Sequence, residues 1–346
     1  MSTQNLGKAT DPDFRAFAAA GAAALQRWYS PWTGRWRSTG WWNAANALTT
    51  IADYTAWTGD RTSAWVINWT FRVARWRHPH FINSFFDDNG WWALAWVRAY
   101  ELTGRKPYLE ASQRIFDNMT TGWDETCGGG LWWNQDRTYK NAIPNQLFLT
   151  TAARLHRLSP GAGSKYLDWA LREWDWFSAS GMIGPRGLVN DGLTADCINN
   201  ARPTYTYNQG VLLGGLGDLY EITGDGAYLR QGERVADAVL SELTTAGSAA
   251  QPGILIEPGE AEMAGRQGDC SQFKGVFARY LCHFYQRSAR PAYRDFILRN
   301  ARSVWENSRN ARNQFGVCWS GPFDVADASR QSSALDVLNA AVRLTS

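Results

Sequence analysis

The chain of 346 residues lacks a long apolar run, an excess of charge of either sign, and a dense set of cysteines or histidines. Arg, Asp, Asn or Gly interrupts every candidate segment before the ~18–20 residues a bilayer crossing needs, so no membrane span is expected. Lys plus Arg number 35 against 32 Asp plus Glu, a formal net charge of +3. That is too small to act as a field that collects polyanions, which argues against nucleic acid and membrane surfaces as partners. Cys127, Cys197, Cys270, Cys282 and Cys318 contain no C-x-x-C pair and no regular framework. They read mainly as buried thiols, with room for one disulfide. None of His78, His80, His156 and His283 joins Cys, Asp or Glu at a metal-ligand spacing, so neither metal nor cofactor is expected. There is no G-x-S-x-G elbow, P-loop or dinucleotide fingerprint, so acyl transfer, phosphoryl transfer and hydride chemistry lack support. The polar opening, residues 1–8, has neither the basic nor the apolar region of a secretory signal. It fits a cytoplasmic protein, or a secreted one whose signal has been removed.

What the sequence has in surplus is tryptophan, 20 copies, several in pairs: Trp41-Trp42, Trp91-Trp92, Trp132-Trp133. Core filling asks for fewer, because a buried indole N–H needs a partner and smaller residues fill space more easily. Such flat faces stack on the C–H faces of sugars, and a neutral polysaccharide suits the small net charge. Each Trp also has a plain alternative as a core residue.

A repeated unit organises the chain: a helical pattern, a short turn, and a second helical pattern at once. Thr58-Gly59-Asp60, Thr103-Gly104-Arg105, Ser159-Pro160-Gly161, Thr223-Gly224-Asp225 and Ser288-Ala289-Arg290 mark the turns. Residues 88–102 and 207–222 are apolar nearly all round, as a helix surrounded by protein must be, whereas 106–119 and 227–243 are apolar on one face only. The first kind reads as inner, the second as outer. With a first helix near 13–29 and a last near 332–344, about twelve helices pair into an all-α (α/α)6 barrel spanning residues 1–346. The outer-to-inner connections, at 76–87, 120–140, 180–204, 245–271 and 308–331, are long and rich in Gly, Asn and aromatics. They gather at the N-terminal end of the inner ring, where function belongs.

The inner-helix starts read Gly40-Trp41-Trp42-Asn43, Asp87-Asp88-Asn89-Gly90-Trp91-Trp92, Tyr139-Lys140-Asn141, Tyr205-Thr206-Tyr207-Asn208-Gln209 and Gln272-Phe273-Lys274. Aromatics there supply stacking platforms, and Asn, Gln, Lys and Asp supply hydrogen bonds to hydroxyls. Asp87 and Asp88 stand out. Glycosidic hydrolysis commonly uses two carboxyls, one ionised and one able to give a proton. Like charge pushes one pKa of such a pair up, while free N–H groups at a helix start favour the ionised form of the other. The plain alternative is an ordinary helix N-cap. The run at 190–196 lacks the ligands of a calcium loop and reads as a turn presenting Asp191 to the cleft.

Phe86-Asp87-Asp88-Asn89-Gly90-Trp91-Trp92-Ala93-Leu94-Ala95-Trp96 resembles the signature of glycoside hydrolase family 76, the α-1,6-mannanases. Cys127-Gly128-Gly129-Gly130-Leu131-Trp132-Trp133, Tyr139-Lys140-Asn141-Ala142-Ile143, Thr206-Tyr207-Asn208-Gln209-Gly210 and Phe273-Lys274-Gly275-Val276-Phe277 resemble further family blocks, in the family's order. The resemblance implies an (α/α)6 barrel that hydrolyses α-1,6-linked mannan internally, with retention of configuration. It implies Asp87 as nucleophile and Asp88 as general acid/base. It also implies Asn141, Asp191, Tyr207, Asn208 and Lys274 as sugar contacts, with Trp42 and Trp133 as platforms; Asn43 is a further candidate sugar contact from its place at an inner-helix start. Mannan or mannooligosaccharides are then the partners of a monomer. Rival readings are a transglycosylase, a hydrolase of another glycan, and a carbohydrate-binding toroid without turnover.

Overall fold

The computed structural model describes residues 12–247 and 250–346; residues 1–8, read above for an export address, lie outside the described residues. Among the described residues the chain forms thirteen α-helices: α1 (Phe14–Gln26), α2 (Trp41–Thr58), α3 (Trp65–Val73), α4 (Phe86–Thr103), α5 (Lys106–Met119), α6 (Ala142–Leu158), α7 (Lys165–Ala179), α8 (Thr206–Thr223), α9 (Gly226–Glu242), the single turn α10 (Glu260–Met263), α11 (Phe273–Ser288), α12 (Pro291–Asn307) and α13 (Ala328–Thr345). Helices α2, α4, α6, α8, α11 and α13 each pack on the next, and α13 closes the ring onto α2. The other long helices form the outer layer, with α1 docked on α13. This is the expected (α/α)6 barrel.

The two helix types differ as their side chains require. Every residue of α8 from Thr206 to Leu219 is buried, whereas α5 buries only the face carrying Tyr108, Ala111, Ser112, Ile115, Phe116 and Met119. Glycine lets inner helices touch backbone to backbone: a Cβ on Gly210 would lie 2.6 Å from the Phe277 Cα, so α8 and α11 meet only because none is there. Gly59, Gly104 and Gly224 end inner helices in the left-handed conformation, which makes the inner-to-outer turns short.

The first helix stops short of the expected residue 29. Asp13 caps it, accepting from the Ala16 N–H at 3.0 Å, and the chain leaves at Gln26 because Tyr29–Ser30 pairs with Arg35–Trp36 in a two-stranded hairpin, β1 and β2. The allowed disulfide is Cys127–Cys197, which ties the connection before α6 to the one before α8. Of the remaining thiols Cys282 is fully buried, whereas Cys270 and Cys318 are half-buried, so the expectation of mainly buried thiols holds fully for one of the three.

Candidate active site

Inner-helix N-termini converge at one end of the barrel, around a cleft of about 280 Å³. Asp87, Trp91 and Trp42 line it together with Trp133, Tyr139, Asn141, Asp191 and Tyr207, and Arg202, Asp269 and Phe273 complete the wall. The inner helices point their positive dipole ends this way, which suits a site holding carboxylates.

Asp87 and Asp88 are the second and third residues of α4, inside its first turn rather than at the cap, which is Phe85. Both residues are half-buried; Asp87 lines the cleft, whereas Asp88 lies beside it and outside the lining. The Trp133 indole N–H donates to Asp87 Oδ2 at 3.0 Å, and the Asp88 backbone N–H donates to Asp87 Oδ1 at 2.9 Å. The Asn83 amide donates to Asp88 Oδ2 at 2.6 Å, leaving Oδ1 without a partner among the described residues. Burial pushes Asp87 up to about 8, with the charge of Asp88 adding and the Trp133 bond opposing. It pushes Asp88 up to about 6, the Asn83 bond opposing and the charge of Asp269 adding. The two titrate as a pair, which holds one proton around neutrality.

Other expected residues also reach the cleft. Trp42 donates its indole N–H to Asp269 at 3.1 Å and stacks on Trp91 at 5.6 Å between ring centres. Tyr207 lies flat on Phe273 at 3.8 Å, and both rings border the cleft. Asp191 accepts from the Tyr139 hydroxyl at 2.7 Å and is held above the usual carboxylate range by burial. Asn141 is the N-cap residue of α6, and its side-chain Oδ1 is buried without a partner among the described residues. Arg202, Asp269 and Asn83 carried no signal in the sequence; each sits on a connecting loop, outside any helical period.

Three expected sugar contacts do not line the cleft. Asn43 is 2% exposed and spends its amide on the Gly40 N–H and Gln272, each at 3.1 Å. Asn208 is fully buried beside Tyr207 because one residue along a helix turns the side chain by about 100°. Lys274 is 1% exposed, paired with Glu260 and donating to the Leu255 carbonyl at 3.3 Å, so it holds a loop rather than a sugar.

Lys140 does the same more completely. Its ammonium lies 2.5 to 3.3 Å from five oxygens: the carbonyls of Asp124, Thr126, Gly129 and Gly130 and one Asp124 carboxylate oxygen. Amide side chains clasp other loops. Asn145 both donates to and accepts from the backbone of Leu131, and Gln209 does so with Val189. Much of the polarity at the inner-helix starts therefore serves loop backbones, whose buried N–H and C=O groups need partners.

Residues 18–345 match the sequence profile of glycosyl hydrolase family 76. The chain belongs to this family. Among similar proteins, the mannan endo-1,6-alpha-mannosidase DFG5 of Candida albicans is 31% identical over 225 residues, 58% of this chain and 50% of that protein. The mannan endo-1,6-alpha-mannosidase DCW1 of the same organism is 28% identical over 264 residues, 70% of this chain and 57% of that one. The family 76 chain thus spans about half the length of these curated relatives. Among solved structures, an inactive variant of the α-1,6-mannanase of Salegentibacter sp. HEL1_6, altered at two consecutive aspartates and bound to α-1,6-mannotetrose, superposes with a TM-score of 0.85 at 25% identity. That similarity covers 96% of this chain and all of the other.

Proposed function

We propose that this family 76 chain is a glycoside hydrolase that cleaves α-1,6-linked mannan internally, with retention of configuration. The observation that carries the reading is Asp87, which lines a cleft walled by Trp42, Trp91 and Trp133, with the partly exposed Asp88 next to it in the first turn of α4. The α-1,6-mannosidase names of the relatives and the mannotetrose in the Salegentibacter structure support the choice of glycan.

Hydrogen bonding divides the roles. Each oxygen of Asp87 receives an N–H, and both bonds are stronger to a carboxylate than to a carboxyl, so they favour the ionised form. Asp88 has a free oxygen to carry the proton. Burial and the charge of Asp88 outweigh these donors and push Asp87 above Asp88, so the hydrogen-bond geometry, and not the order of the two pKa values, carries this assignment. In the proposed reaction Asp87 attacks the anomeric carbon while Asp88 gives its proton to the departing glycosidic oxygen. Asp88, now ionised, takes a proton from water, whose oxygen displaces Asp87 and releases a mannooligosaccharide whose new reducing end keeps the original configuration. Trp42 and Tyr207 hold sugar faces, and Asn141 and Asp191 accept from hydroxyls.

The test is release of reducing ends from α-1,6-mannan by the parent, Asp87→Asn and Asp88→Asn. Each variant is expected to lose at least about a thousandfold in turnover while keeping its fold. Near-parental turnover in either variant refutes the assignment, and a parent that binds mannan without cutting it leaves only a sugar-binding toroid. Following the anomer of the first product decides retention.

A further inference from the structure

Four tryptophans that the cleft does not use stand in solvent. Trp32 is 90% exposed, Trp76 81%, Trp65 52% and Trp69 40%. Isolated exposed apolar residues are ordinary, but a group of indoles on one surface is not. Their spacing makes them neighbours: 65, 69, 72 and 76 fall on one helical face, the outward face of α3 and the turn Ala74–Trp76 that follows it. The hairpin lies alongside. The Trp69 indole N–H donates to the Pro31 carbonyl at 2.7 Å, and Trp65 packs edge-on against Tyr29 at 5.4 Å.

Arginine surrounds these rings. Arg27, Arg37, Arg61, Arg72, Arg75 and Arg77 are exposed, and among the described residues none forms an ion pair with a carboxylate. Between residues 27 and 85 the chain holds only two acids, Asp53, paired with Arg98, and Asp60. The near-neutral total charge conceals this local excess of positive charge. Arg77 approaches Arg35 closely enough that its charge, after burial, lowers the Arg35 pKa. The hairpin and segment 74–81 both connect an outer helix to the next inner one, so the face borders the cleft end of the barrel. Trp41, the neighbour of Trp42, stacks on His78 of that segment at 3.7 Å.

We propose that this face is a second binding site, for an acidic polysaccharide whose sugar rings lie on the indoles of Trp32, Trp65, Trp69 and Trp76 and whose phosphate or carboxylate groups meet the arginines. Planar guanidinium groups take such anions in bidentate fashion. The exposed large apolar side chains of this face are all tryptophan, without the aliphatic or phenyl groups that insert into a bilayer. Choosing a glycan over a nucleic acid rests on the mannan reading of the cleft. A chain held here stays at high local concentration beside the cleft.

The test is binding by the intact protein in an Asp87→Asn background. The probes are phosphorylated mannan, the same mannan stripped of phosphate, polygalacturonate, single-stranded DNA and anionic phospholipid vesicles. Two double variants, Trp32→Ala/Trp76→Ala and Arg72→Gln/Arg77→Gln, alter exposed side chains. Acidic glycan is expected to bind, to release with salt, and to weaken about tenfold or more in each variant, a loss of about 1.4 kcal/mol or more. The same pairs in the parent background should leave turnover of short neutral mannooligosaccharides unchanged. Phosphomannan and polygalacturonate distinguish the two anions. Equal binding of stripped mannan, binding untouched by both variants, or preference for DNA or vesicles overturns the proposal. Acidic glycan binding by a parent that cuts no mannan upholds this site and sinks the cleft reading alone.

Discussion

Lys140→Met tests how the cleft is held open. The ammonium has three N–H donors and five oxygens around it, and the Trp132 and Trp176 rings face it at 5.0 and 5.9 Å. A hydrogen bond from a charged donor contributes about 1.5–3 kcal/mol, and a water entering the vacated space restores part of three such bonds. The expected loss is about 4 kcal/mol in urea unfolding at neutral pH. Activity should fall as well. The loop that Lys140 gathers leads into Trp133, whose indole meets Asp87 and whose backbone N–H donates to the Tyr139 carbonyl at 2.7 Å. Ammonium chloride should raise the unfolding midpoint of the variant by refilling the cage, and tetramethylammonium chloride, too large for it, should not. A loss below about 1 kcal/mol, or equal response to both salts, refutes the argument that a buried cation organises this loop.

The Asp87–Asp88 pair predicts a bell-shaped pH profile of kcat/KM with limbs near about 6 and about 8, the window in which one proton is shared. Trp133→Phe removes a donor that favours the ionised Asp87 nucleophile, so the acid limb should move up; a downward move counts against that role. Because the folded pKa of Asp87 is raised, its contribution to stability is fully present below the unfolded carboxylate range and is lost as pH rises through about 8. The melting temperature of Asp87→Asn relative to the parent should therefore climb between acid and alkaline pH, and a flat difference contradicts it. Gly210→Ala places a methyl 2.6 Å from the Phe277 Cα and should cost about 2–3 kcal/mol by forcing α8 and α11 apart, measured by thermal unfolding.

The architecture was written in local pattern. All-round apolar runs and one-faced runs need no tertiary information to sort into inner and outer helices, because the number of buried faces is a property of each helix alone. Gly59, Gly104 and Gly224 mark the short turns for an equally local reason, and Asp87-Asp88 at an inner-helix start marks the end where the cleft opens. What no local pattern contains is the rotation of each inner helix about its own axis. That angle is set by packing against two ring neighbours and an outer helix at once, and it decides that Tyr207 faces the cleft while Asn208 does not. It also decides that Lys140 and Lys274, which read as sugar ligands, instead satisfy loop carbonyls that would otherwise be buried without partners. The charge of the α3 face is another such property. Arginines and indoles far apart in the chain become one surface only when the hairpin folds beside α3, and a total of +3 gives no hint of it.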